Sequence, residues 1–187
     1  MLVKVISAAV QGLEAIAVTV EVNVTSGMRF VLVGLPDNAV KESHERIVAA
    51  VQNSGFSFPM RSVTINMAPA DVKKEGSGYD LPMAIGMMTT EGSVSPQLLP
   101  TTMMVGELSL DGSLQPIRGA LPVAIKARSM GFERLIVPIQ NVREAAVVNN
   151  VKVYGAHNLR EVVDLLNGGE MLQPTEVDTR SEFYDHQ

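Results

Sequence analysis

From residue 14 to 24, Ala15, Ala17, Thr19, Glu21 and Asn23 alternate with Ile16, Val18, Val20, Val22 and Val24. A period of two predicts a strand with one face buried and one wet. Residues 2–10 are similarly rich in Val, Ile and Ala, and Gln11-Gly12 joins the two runs. After Ser26-Gly27 the run Met28–Gly34 predicts a third strand, so the chain is expected to open as a β-meander. Leu35-Pro36 ends that strand, and Asp37 or Asn38 can cap a helix over about 38–53. Val40, Ile47, Val48 and Val51 form its apolar stripe; Lys41, Glu42, Glu45 and Arg46 are placed on its wet side. Gly55 stops it, and Val63, Ile65 and Met67 share one face of a strand over 62–68.

The polar loop Asp71–Tyr79 follows, and Asp80 is expected to cap an apolar helix over 81–90 that has Pro82 in its first turn. A strand over 103–110 meets Asp111-Gly112, a hairpin signal, and returns over 113–117. Helix 121–130, strand 134–137, a helix near 142–149, strand 151–154 and helix 159–166 complete the pattern. Antiparallel strands first and alternating βα units later predict a mixed α/β (α+β) domain over 1–168. Residues 169–187 are polar and aperiodic, with Gly169 and Pro174, and are expected to be a linker or tail.

Composition narrows the chemistry. There are no cysteines, which removes disulfides, thiolate nucleophiles and Cys-based zinc sites. A net charge of −5 argues against a free-standing phosphate-backbone binder without excluding a local basic patch. No run approaches the roughly 18 apolar residues of a membrane span, and no signal peptide is visible, so a cytoplasmic location is expected. The chain contains no Gly-x-x-x-x-Gly-Lys-[Ser/Thr] phosphate loop and no Gly-x-Ser-x-Gly elbow. Gly76-Ser77-Gly78 precedes a helix and could present N–H groups to an anion, but Asp80 would repel one. His44, His157 and His186 have no ligand-like spacing, so no metal site is expected; His44 is placed on a solvated helix surface. The serine worth weighing is Ser77. The best base for it is Lys126, in the apolar 121–130 helix, whereas Lys73 and Lys74 are expected to be solvated. Lys4, Arg29, Lys41, Arg46, Arg61, Lys73 and Lys74 could gather into a nucleic-acid-binding face.

Several runs are specific enough to carry a resemblance. Val33-Gly34-Leu35-Pro36-Asp37-Asn38-Ala39-Val40-Lys41-Glu42-Ser43, Asn66-Met67-Ala68-Pro69-Ala70-Asp71-Val72-Lys73-Lys74-Glu75-Gly76 and Gly106-Glu107-Leu108-Ser109-Leu110-Asp111-Gly112 are the main ones. With Met1–Val5, Ala8–Gly12 and Tyr79–Ala84 they resemble the opening domain of the bacterial magnesium-chelatase-like AAA+ proteins, the ComM/YifB family, over about residues 1–168. The resemblance implies a Lon-protease-like fold of the ribosomal protein S5 domain 2-like type. It also implies a following AAA+ domain that binds ATP and magnesium and assembles a homo-oligomeric ring. Some members of that family are thought to be DNA helicases that promote branch migration in natural transformation.

On this resemblance Lon's nucleophilic serine falls near Gly78 and its lysine falls on Leu121, which has no amine. The expected sites are therefore none: no catalytic, cofactor-binding or metal residues in this chain, and an accessory role beside the ATPase. An exposed face with Leu35, Pro36, Asp37 and Lys41 could be the contact, although Pro36 and Asp37 also have a turn to shape. Alternatives are a Ser77–Lys126 peptidase with a displaced dyad, and a stand-alone nucleic-acid module.

Overall fold

The computed structural model describes residues 1–177. β1 (Leu2–Gln11) and β2 (Glu14–Thr25) form the expected hairpin, in register from Leu2↔Asn23 to Gln11↔Glu14. β3 (Phe30–Val33) does not extend it. β4 (Ser62–Ala68) lies antiparallel against β2, and β3 pairs parallel to β4 on the outer edge. The meander is therefore corrected to a hairpin plus a βαβ crossover. The helical stretch between β3 and β4, α1 (Asn38–Lys41) and α2 (Ser43–Asn53), is long enough to carry a parallel return.

After α3 (Asp80–Thr90), β5 (Thr102–Met104) pairs parallel to β1 through Ile6↔Met103. The strand expected over 103–110 is broken. The Gly106 N–H leaves the sheet to donate to the Gly78 carbonyl (2.9 Å), and a separate hairpin follows, β6 (Glu107–Leu108) with β7 (Leu114–Gln115). Its Asp111-Gly112 turn is as expected, with Asp111 Oδ1 accepting from the Ser113 N–H (2.9 Å) and hydroxyl. Then come α4 (Ala120–Ser129), β8 (Arg134–Pro138), α5 (Val142–Ala146), β9 (Lys152–Ala156) and α6 (Leu159–Leu166). The seven-stranded sheet has the order β3-β4-β2-β1-β5-β8-β9, antiparallel at β4-β2-β1 and parallel elsewhere.

Two cores follow from strand alternation. Val5, Val18, Val20, Val22, Ile65 and Met67 pack with Ile47 of α2, with α3 and with Val162 of α6. On the opposite face Ala8, Met103, Leu135 and Val153 pack with Val123 and Ala127 of α4 and Ala145 of α5. α3 is buried almost all round, as its unbroken apolar sequence requires. Residues 169–177 lie partly against this body: Leu172 is buried and the Thr175 N–H donates to the Val153 carbonyl (2.8 Å). Residues 178–187 of the expected tail, including His186, lie outside the described residues.

Two positions test the packing. Gly86 of α3 sits so close to the sheet that an added Cβ would lie 2.5 Å from Val22 Cγ2. Gly86→Ala is therefore expected to lower stability by about 1–3 kcal/mol in urea unfolding, against the gain that helix propensity alone would give. The Ser7 hydroxyl is fully buried and has no hydrogen-bond partner among the described residues. Ser7→Ala is expected to raise stability by about 1 kcal/mol in the same assay, because a desolvated, unpaired hydroxyl is removed.

Candidate functional site

A cavity of about 540 Å³ opens where the loop before α3 faces the turn before α4. Glu75 to Tyr79 form one wall, Pro116 to Arg118 the other, and the end of β1 the floor. Ser77 lines this cleft as anticipated. Lys126 does not: it lies on the outer side of α4 and lines a separate shallow cavity with Leu13 and Glu14. Leu121 is absent from the cleft lining and instead donates its N–H to Glu144 Oε1 (3.2 Å). The charged residues of the cleft are Glu75 and Arg118. A guanidinium stays protonated and cannot take the serine proton.

The loop is held from outside by an exchange with the strand-to-helix turn at 34–37. The Asp37 N–H donates to the Lys74 carbonyl (2.9 Å), and the Lys74 N–H donates to the Leu35 carbonyl (3.0 Å). Asp37 Oδ1 caps α1 by accepting from the Val40 N–H (2.9 Å), and Oδ2 accepts from the Gly76 N–H (3.0 Å). The glycine N–H that could have met an external anion thus already holds one of the chain's own. Asp37 has the turn-shaping role foreseen for it, whereas Leu35 stays half exposed with a φ of 58°.

Lys74 corrects the sequence reading. Its side chain is fully buried, and Nζ donates to the carbonyls of Gly34 (2.7 Å) and Pro69. Burial lowers its pKa, with Asp71 opposing. An ammonium tied to two carbonyls is a structural strut; a polar loop offers no sequence signal that separates it from solvated Lys73. Gly34 completes the joint. Its φ is 107°, and a Cβ there would lie 2.3 Å from the Met67 carbonyl oxygen.

Asp80 is also reassigned. Its side chain makes no cap on α3. It is fully buried, and its carboxylate receives Arg46 Nε (2.7 Å), Arg46 Nη2 (3.0 Å) and the Leu108 N–H (3.0 Å). Arg46, expected on the wet side, turns inward and also donates to the Ala39 carbonyl (2.8 Å). Burial pushes Asp80 up to about 6, against the pull of the Arg46 and Leu108 hydrogen bonds. The bond to Asp80 in turn raises Arg46.

The histidines divide. His44 stays partly exposed on α2 but also packs between Phe30 (ring centroids 4.3 Å apart) and Phe58 (5.9 Å), and His157 Nδ1 meets Glu161 (2.8 Å). Among the described residues no group of three or more His, Asp or Glu could hold a metal ion. No helix among them is long and apolar enough to cross a membrane. Of the seven cations considered for a nucleic-acid face, Arg46 and Lys74 are committed internally. Arg29 and Arg61 share a groove beside β3, and Lys4, Lys41 and Lys73 are exposed elsewhere.

A mixed α/β sheet with this cleft defines the class, and comparison with known proteins defines the family. The chain belongs to the family described as Subunit ChlI of Mg-chelatase, whose model matches residues 20–141. It is 40% identical over 169 residues to the competence protein ComM of Haemophilus influenzae, covering 90% of this chain and 33% of that protein. It is 36% identical over 178 residues to the uncharacterized protein YifB of Escherichia coli, covering 93% and 35%. Similarity to Lon protease 2 of Bacillus subtilis is weaker, 23% over 145 residues, covering 76% and 26%. The chain spans about a third of the length of the curated ComM and YifB relatives it matches.

The Arg46–Asp80 pair gives a pH-dependent prediction. A carboxyl whose folded pKa lies above its ordinary value contributes most when protonated, and that contribution is lost as pH rises through about 6. Removing Arg46 leaves the buried anion unpaired and raises that pKa further. Arg46→Ala is expected to cost about 3 kcal/mol near pH 8 and clearly less near pH 5, where Asp80 is neutral, in denaturant titrations at both pH values.

Proposed function

We propose that this chain is a non-catalytic accessory domain of a magnesium-chelatase-like AAA+ ATPase, supporting ring assembly or substrate engagement in ATP-driven DNA remodelling. The observation that carries the reading is a Lon-like cleft in which the serine has no amine to serve as its base. Ser77 lines the cleft together with Glu75 and Arg118, while Lys126 lines a different cavity. A shared fold without the reacting groups does not carry the chemistry with it. Similarity to a protein named for competence favours a DNA-related task for the whole molecule. ATP and magnesium would bind a part of the polypeptide outside this chain, and that AAA+ part is the first partner.

Two measurements test the reading. A fluorophosphonate probe is expected to leave the wild type and Ser77→Ala equally unlabelled; labelling that disappears in Ser77→Ala would establish a peptidase instead. In the full-length protein, deleting residues 1–168 is expected to impair ring formation or DNA-stimulated ATP hydrolysis while ATP binding persists. A deletion that changes neither removes the accessory role.

A further inference from the structure

A second concavity lies at the β3 edge of the sheet, on the side of α2, with a volume of about 260 Å³. That is below the range of small-molecule sites and suits a single large side chain with its neighbours. Its floor is the ring cluster Phe30, His44 and Phe58. Its lips are Met28 and Met60, 77% and 73% exposed, among the most exposed large apolar residues of the domain. Exposed methionines flanking aromatic rings form an adaptable apolar seat. Arg29 and Arg61 stand at its rim; no carboxylate lines it, and neither guanidinium has an ion-pair partner among the described residues. Such a groove selects an aromatic side chain flanked by negative charge.

The chain carries that pattern itself, in Glu182-Phe183-Tyr184-Asp185. We infer that the groove receives the 182–185 segment of a second copy of this chain, with Phe183 or Tyr184 between the methionines and the flanking carboxylates on Arg29 and Arg61. The same copy cannot supply it. Thr175 is bonded to β9, at the edge of the sheet opposite β3. Six strand spacings separate the two edges, about 29 Å. The eight residues from Thr175 to Phe183 span at most about 29 Å when fully extended, along a straight line that passes through the packed helices. A path around them is longer. Contact between unlike patches of successive copies is head-to-tail, so it propagates into a ring or an open chain. This inference stands apart from the accessory-domain reading, because it concerns a different surface and needs no ATPase.

Complementation tests it on the intact 187-residue chain by sedimentation velocity. The wild type is expected to self-associate with rising concentration. Phe183→Ala/Tyr184→Ala, with an intact groove but no anchor, and Arg29→Glu/Arg61→Glu, with an anchor but no groove, are each expected to weaken association at least about tenfold. Mixing the two is expected to restore one complex that stops at a 1:1 pair, which misfolded variants could not form. A wild type that stays monomeric up to about 1 mM overturns the proposal, as does a mixture that stays monomeric. Binding of an oligothymidylate that is lost in Arg29→Glu/Arg61→Glu, without self-association, would assign the groove to nucleic acid and overturn it too.

Discussion

The buried carboxylate of Asp80 is the constraint around which the rest of the domain is arranged. It lies at the start of the most buried helix, where a negative charge has no water to stabilise it. Three donors from two other elements must therefore converge there, two from Arg46 on α2 and one from the Leu108 amide on β6. That convergence sets the angle of α2 over α3 and brings the β6–β7 hairpin under both. The adjacent backbone follows: the Gly106 N–H binds the Gly78 carbonyl, and the Leu81 N–H binds the Gly106 carbonyl. The wall of the cleft is in this sense built outward from one ion pair.

The other wall of the loop depends on a cation in the same kind of surroundings. Lys74 ends on the carbonyls of Gly34 and Pro69, while Asp37 occupies the Gly76 N–H. The loop that would hold a nucleophile in a peptidase is thus tied on both sides by contacts internal to the domain. Several of its polar groups are thereby committed to architecture, while the Ser77 hydroxyl lines a cleft whose charged residues are Glu75 and Arg118.

Alternation along the chain was enough to read β2 and β4, because each has one face buried and one wet, and the Val, Ile and Ala content of residues 2–10 was enough to read β1. The Asp111-Gly112 turn was equally plain. Strand neighbours were not: β3 looks the same whether it pairs with β2 or β4, since pairing partners leave no mark on periodicity. The break after Met104 was hidden because an apolar run continues while its backbone changes partner. Arg46 and Lys74 were misplaced for a shared reason. A charged residue reads as solvated unless its counter-group is known, and Asp80 lies 34 positions from Arg46 while Gly34 lies 40 from Lys74. Leu121, the position on which the family resemblance places Lon's lysine, does not line the cleft.

The central place of β1 has a consequence for synthesis. Its left edge is satisfied at once by β2, its immediate successor in the chain, but its right edge waits for Met103. During translation a β1–β2–β4 sheet can form once Ala68 has emerged, while the other edge of β1 offers unpaired N–H and C=O groups until Met103 follows about 35 residues later. At cellular elongation speeds that is on the order of a few seconds. Until β5, β8 and β9 arrive, this nascent edge is the place where the growing polypeptide is most exposed to pairing with the wrong strand.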